Sequence, residues 1–182
     1  GFGSSFSKSA DDVIDYTDPS GVIVEEVFGS SGAWLSLMRV NMDSSDLSSS
    51  ESYSYIDTED VSLDDMGGSV TTKDSSVMSL IDQARHAEDA DFRIIASPFT
   101  APPWMKDNND YIGGSLKEEH YGTFANYFLE VINAYQARGI DIWGITPLSS
   151  PLGNNNRWES MLFTEEQELA FINDHLGPIV TD

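Results

Sequence analysis

Residues 121 to 158 constrain the fold more than any other stretch. Tyr121, Phe124, Ala125, Phe128, Val131, Ile132 and Tyr135 recur at spacings of three and four, which predicts a helix with one apolar stripe. Gly139 stops that helix. Ile140 to Ile145 follow as a short β-rich apolar run without helical spacing, which predicts a strand buried on both faces. Pro147 ends it, because proline has no N–H to give a ladder. The chain then enters a polar loop rich in Ser and Asn that carries Trp158. A buried strand that empties into a polar, aromatic-bearing loop is how α/β enzymes build sites.

The same alternation recurs along the chain. A helical segment spans about Ala10 to Phe28, broken at Asp18-Pro19 into two short helices, since proline cannot sit deep in a helix. Ala33 to Met42 is the second strand, and Phe92 to Ser97 the third. Between them lies a long Ser/Asp/Tyr-rich loop, residues 48 to 72, of a length that is usually functional or disordered. Asp74 then caps a helix whose Val77, Leu80, Ile81 and Ala84 form an apolar stripe. Thr164 and Gln167 make a capping box. Leu169, Ile172 and Leu176 are the stripe of the last helix, which Gly177-Pro178 ends. Alternating strands and helices imply a parallel sheet with helical crossovers.

Charge narrows the function. The 182 residues hold 9 Lys+Arg against 31 Asp+Glu, a net charge of −22. That argues against nucleic acid, where phosphates must be neutralised, and against anionic membrane surfaces. It fits a solvated acidic surface. There is no run of 18 apolar residues, so no membrane span is expected. Without cysteine there is no disulfide, thiol nucleophile or Cys-type metal site. The D-x-[DN]-x-[DN]-G calcium loop is missing, and no metal or cofactor is expected. Gly1-Phe2-Gly3 lacks the remaining glycine and lysine of a phosphate loop. The sequence shows neither a leader nor an initiator Met, and suggests a mature or excised piece from an extracellular setting. His86, off its helix stripe, and His120, at a helix start, carry no catalytic signal.

Three groups of residues carry chemistry. Arg39 lies near the end of the second strand in an apolar setting. A buried Arg needs a carboxylate, and Asp43 and Asp46 lie just beyond, so Arg39 is either a structural ion pair or a ligand-facing cation. Ser97 to Lys106 contains Phe99, Trp104 and three prolines, a rigid ring-lined wall that suits a sugar face, or simply a piece of aromatic core. The third group is Thr146, Pro147, Leu148, Ser149, Ser150 and Pro151.

This last segment resembles the fourth-strand region of family 30 glycoside hydrolases, the glucosylceramidases and β-1,6-glucanases, whose usual form is T-P-x-N-E-P. Nearly the whole chain shares the resemblance. Its opening GFGSSFS is similar to the family's first strand, and Ser97 to Lys106 to its S-P-W-[ST]-x-P-x-W-[ML]-K, with Phe99 where Trp is usual. Tyr53, Tyr55 and Asp57 match Y-x-Y-x-D, and Asn108 to Leu116 a further loop. Arg39 to Ser48 is similar to R-V-x-x-x-S-x-D-[FL]-S. The resemblance implies half of a (β/α)₈ barrel, units one to four. It implies that Arg39 and Asp46 line a pocket for a β-glucoside, Asp46 on sugar hydroxyls, with Phe99 and Trp104 as its wall. Ser149 and Ser150 stand where the family has Asn and its general acid/base Glu, and the family's nucleophile belongs to the seventh strand.

Retaining glycosidases need two carboxyl groups roughly 5–5.5 Å apart. A serine hydroxyl at position 150 cannot donate a proton usefully near neutral pH. Glu159, Asp107 and Asp110 have no spacing that recommends them as substitutes. The expectation is a glycosidase piece that is inactive alone, or a non-catalytic carbohydrate-binding or structural subunit descended from this barrel. Four open strands also call for self-association or a complementary half-barrel chain.

Overall fold

The structure is a computed structural model that describes residues 3–18, 20–48, 51–153 and 157–180. The expectations that fall on Gly1, Phe2, Pro19 and the Asn-rich residues 154–156 lie outside these. Four parallel strands, β1 (Gly3–Phe6), β2 (Leu37–Met42), β3 (Arg93–Pro98) and β4 (Gly144–Ile145), pair in chain order. Phe6 stands opposite Val40, Val40 opposite Ala96, and Ala96 opposite Ile145. Helices α1 (Lys8–Thr17) and α2 (Val22–Phe28) link β1 to β2, and α3 (Met66–Lys73) and α4 (Ser75–Arg85) link β2 to β3. Helix α5 (Tyr121–Ala137) links β3 to β4, and α6 (Glu165–Phe171) follows β4. This is the half-barrel of four strand–helix units.

The period-two alternation of β2 divides the molecule into a packed side and an open side. Met38, Val40 and Met42 are buried in the hydrophobic core, while Arg39 and Asn41, between them, are only half-buried. The helix layer supplies Phe28 from α2, stacked on Phe6 at 5.4 Å, and Leu80, Ile81 and Ala84 from the predicted α4 stripe. The predicted α5 stripe is also buried at Tyr121, Phe124, Ala125, Phe128, Val131 and Tyr135. The break between α1 and α2 has its physical cause in Asp18, whose carboxylate accepts the N–H groups of Val22 (2.8 Å) and Ile23 (2.5 Å) at the start of α2. Gly139 takes φ +72°, the left-handed stop that favours glycine.

Four sequence expectations need correction. Strand β2 begins at Leu37, not Ala33, because Trp34 adopts φ +49° and breaks the extended run. The fourth strand is confined to Gly144–Ile145 and is not buried on both faces: Asp141 and Trp143 are exposed. Among the described residues only β3 pairs with it, through such bonds as Trp143 N–H to Ile94 O (2.8 Å) and Thr146 N–H to Ala96 O (3.0 Å). The 48–72 loop is shorter than it reads, since α3 starts at Met66.

The last helix departs most. Its capping box forms as expected, with Thr164 N–H on Gln167 Oε1 at 3.0 Å and Gln167 N–H on Thr164 Oγ1 at 3.3 Å. Leu169, however, is 61% exposed, and Phe171 and Leu176 are the buried anchors. A π-turn over Ile172–Leu176, closed by Gly177 N–H on Ile172 O, widens the helix by one residue. The chain stays helical through Gly177–Val180 (α7), so Gly177-Pro178 does not end it. A proline ring inside a helix presses on the carbonyl four residues earlier; the wide turn gives it room.

Candidate functional site

The open side of the sheet carries a hollow of about 480 Å³. Its polar lining comes from Ser5 of β1, Arg39 of β2, Ser97 of β3, and Thr146 and Ser149 just after β4; Leu37, Ile95 and Leu148 supply apolar surface. Ser97 Oγ and Thr146 Oγ1 share a hydrogen at 2.6 Å, and Ser5 Oγ donates to Arg39 O at 3.1 Å.

Arg39 is the centre of this arrangement. Its Nη1 donates to Ser149 Oγ at 3.0 Å, and its Nη2 to Asn41 Oδ1 at 2.9 Å. Asn41 in turn donates to Ser45 Oγ at 2.7 Å. The Phe99 ring lies 5.1 Å from the guanidinium carbon, a cation–π contact. Burial pulls the Arg39 pKa below its ordinary value, and the charge of Asp46 acts in the other direction. Of the two readings of Arg39, the structural ion pair does not form. Among the described residues no carboxylate lies within ion-pair distance of Arg39. Asp43 takes φ +63° and buries its carboxyl in the core, and Asp46 is exposed on the following turn.

Of the residues singled out from sequence, Arg39, Ser149 and Phe99 come together. Ser149 is half-buried and its N–H donates to Pro98 O at 2.8 Å, which fastens the β4 loop to the end of β3. Ser150 is exposed. Trp104 does not line the hollow: its Nε1–H donates to Ile56 O at 3.0 Å and its ring meets His120 edge-on at 5.3 Å. Asp46 is not part of the lining either.

Two buried polar clusters brace these loops, and sequence reasoning missed both. Asp43 Oδ1 accepts from Tyr55 N–H (2.8 Å) and Tyr127 OH (2.5 Å), while its Oδ2 is buried without a partner. Burial raises the Asp43 pKa to about 8. Asp74, expected as a helix cap, makes no side-chain cap bond. Its Oδ2 accepts instead from Tyr55 OH (2.6 Å) and Tyr135 OH (2.8 Å), and burial lifts its pKa to about 6. The only signal for this in the sequence is the three tyrosines themselves, and nothing about their spacing points to a carboxylate.

Lys106 is the second brace. Fully buried, it donates from Nζ to Asp110 O (2.6 Å) and Ser160 O (3.1 Å), and so ties the loop after β3 to the loop after β4. Burial lowers its pKa to about 8. Lys106→Met keeps the stem but strands the buried carbonyl of Ser160 and removes the tie to Asp110 O, which costs about 1–3 kcal/mol. Faster limited proteolysis within residues 107–116 and 157–163, with α5 still protected, is the expected outcome.

The family model described as "Glycosyl hydrolase family 30 TIM-barrel domain" matches residues 1–182. The chain belongs to glycosyl hydrolase family 30. Among family relatives, the lysosomal acid glucosylceramidase of Mus musculus is 30% identical over 194 residues, covering 100% of this chain and 37% of that protein. The endo-1,6-beta-D-glucanase of Neurospora crassa is 30% identical over 190 residues, covering 98% and 38%. Among solved structures, SrfJ from Salmonella typhimurium superimposes with a TM-score of 0.86 at 25% identity, over 100% of this chain and 40% of that one. The endo-beta1,6-glucanase BT3312 gives 0.86 at 26% identity, over 100% and 41%. The chain thus spans less than half the length of these family 30 relatives.

Proposed function

We propose that these four units hold a β-linked glucoside in the hollow around Arg39 as the first half of a retaining glycosidase barrel, and cannot cleave it by themselves. The observation that carries this reading is the contact between Arg39 and Ser149, 110 positions apart, over a hollow of sugar size. It puts the segment that resembles T-P-x-N-E-P beside the residue that resembles the family's sugar-binding arginine. The chemistry fails at Ser150. Loss of a general acid/base typically forfeits on the order of 10²–10⁴ in rate, and without a nucleophile the covalent route is closed.

Methyl β-glucoside is expected to perturb the NMR signals of the hollow at millimolar concentration, and an aryl β-glucoside to be left intact by the purified chain. Turnover, or a lack of binding that Arg39→Met does not change, would sink the proposal. Ser149→Asn with Ser150→Glu, combined with a complementary second half, is the arrangement in which hydrolysis should appear.

The Ser149-Ser150 pair also favours a second reading, a non-catalytic carbohydrate-binding or structural subunit. In either reading the outer edges of β1 and β4 call for a cover, a second copy or a complementary half-barrel. Exposed Trp143 and Leu152, on either side of β4 in the chain, support a partner there. An extracellular setting suits both readings.

A further inference from the structure

We infer that a small cavity beside Asp43 binds an alkali cation, sodium or potassium. It lies where the β1–α1 turn, the loop after β2 and the start of α4 meet. Its volume is about 10 Å³, space for a single water-sized body. Two carboxylates line it, Asp43 and Asp74. Asp43 is 4% exposed; its Oδ1 takes Tyr55 N–H and Tyr127 OH, while its Oδ2 is buried and has no partner among the described residues. Asp74 is 3% exposed, and its Oδ2 takes the hydroxyls of Tyr55 and Tyr135.

Buried carboxylates are paired or coordinate a metal, because burial penalises an isolated charge. Among the described residues neither Asp43 nor Asp74 has an ion pair. The neighbouring ammonium groups are Lys73 and Lys8. Lys73 is committed to Asp57, at 3.6 Å, and to Ser54 O. Lys8 lines the cavity half-buried and lies beyond ion-pair distance of both carboxylates. The remaining polar lining, Ser7, Asn41, Ser48 and Tyr53, carries side-chain oxygens. The Ser7 and Ser48 hydroxyls accept from Ala10 N–H (3.1 Å) and Ser45 N–H (2.9 Å), and each oxygen keeps a second lone pair.

Oxygen donors select a hard cation over a soft one. Among the described residues no three of His, Cys, Asp and Glu gather to hold a divalent ion. Magnesium, moreover, keeps several waters, for which a cavity of this size has no room. A monovalent ion meets both the charge and the space, and the net charge of −22 concentrates cations at the surface. Bound there, it ties the β1–α1 turn, the loop after β2 and α4 together. The inference stands apart from the sugar reading of the hollow around Arg39.

Melting temperatures of the whole chain in lithium, sodium, potassium and rubidium chloride, against choline chloride at equal ionic strength, test it. The measurement belongs at pH 8.5, because burial raises the pKa of Asp43 to about 8 and of Asp74 to about 6, and the proton competes with the cation below that. One ion of the series should raise the melting temperature above the choline value, saturably, by about 3–5 °C at ten times its dissociation constant. A sodium or potassium maximum supports the inference and tells the two apart. The chain should also broaden the ²³Na signal, and the preferred ion should reverse this.

Two variants should remove the selective rise. Asp43→Asn takes away the unpartnered carboxylate, and Val77→Ile, on α4 at the cavity wall, fills the space with a methylene and leaves both carboxylates in place. If Asp43→Asn does not fold, Val77→Ile and the ²³Na signal decide. Equal melting temperatures in choline and all four alkali salts overturn the inference, as does a rise that survives in either variant. An alkali effect that emerges only in Lys8→Met also overturns it, since the Lys8 ammonium is then the group the carboxylates hold.

Discussion

Phe171→Ala is expected to lower stability by about 3–5 kcal/mol, the usual cost of emptying a buried aromatic site. Phe171 is fully buried and its ring packs on Phe124 and Phe163, both at 5.5 Å, and on Tyr121 and Phe128, at 6.0 and 6.2 Å. It is the side chain that fastens α6 to α5. Leu169→Ala, two residues earlier and 61% exposed, is the matched control and should change stability by less than about 0.5 kcal/mol. Urea unfolding followed by near-UV circular dichroism reads both. Comparable losses for the two variants would contradict the packing described for α6.

Acidification should stabilise the chain. Asp43 and Asp74 have folded-state pKa values raised to about 8 and about 6, in each case chiefly by burial, against an ordinary value of 3.8. Asp11 is raised to about 6 as well, by burial and then by Asp15 and Asp12. A carboxyl that holds its proton more tightly when folded contributes stability that is fully present below the unfolded pKa and is lost as pH rises through the folded one. The melting temperature should therefore fall between pH 4 and 8, by an amount equivalent to a few kcal/mol. Lys106 does not oppose this trend within the window, because it stays largely protonated below about 8. The phenols of Tyr55, Tyr127 and Tyr135 are pushed upward and do not titrate there. Relief of the acidic surface works in the same direction, so variants are needed to separate the two. Asp43→Asn and Asp74→Asn, neutral at every pH, should flatten the profile. A slope that persists unchanged in both would refute the assignment.

The fold was legible where the apolar pattern is set by a single neighbour. Tyr121 to Tyr135 face one core, and their spacing declares it. Leu80, Ile81 and Ala84 do the same for α4. Legibility failed where tertiary contacts overrode local pattern. Gly67-Gly68 conceal α3, which Met66 and Val70 hold by burial. Ile140 to Ile145 read as a fully covered strand, yet the strand is Gly144–Ile145 and, among the described residues, only β3 pairs with it. Asp74 has a capping residue's identity and position, but two distant tyrosines compete successfully for its carboxylate. The site was legible as a set of residue types and not as a set of contacts. Nothing in the sequence couples Arg39 to Ser149 rather than to Asp43 or Asp46; the parallel order of the strands does that. Trp104 shows the same limit, since its indole N–H is committed to Ile56 O.

The π-turn at Ile172–Leu176 carries one last implication. An α-helix advances about 100° per residue, so one additional residue in the turn sets the azimuth of everything beyond it. Deleting a residue there would restore regular winding and swing Leu176, now 3% exposed, out of its seat, while returning the Pro178 ring to a collision with the backbone. Length within that turn is thus fixed by geometry alone: substitutions of similar size are tolerable, a change in residue count is not.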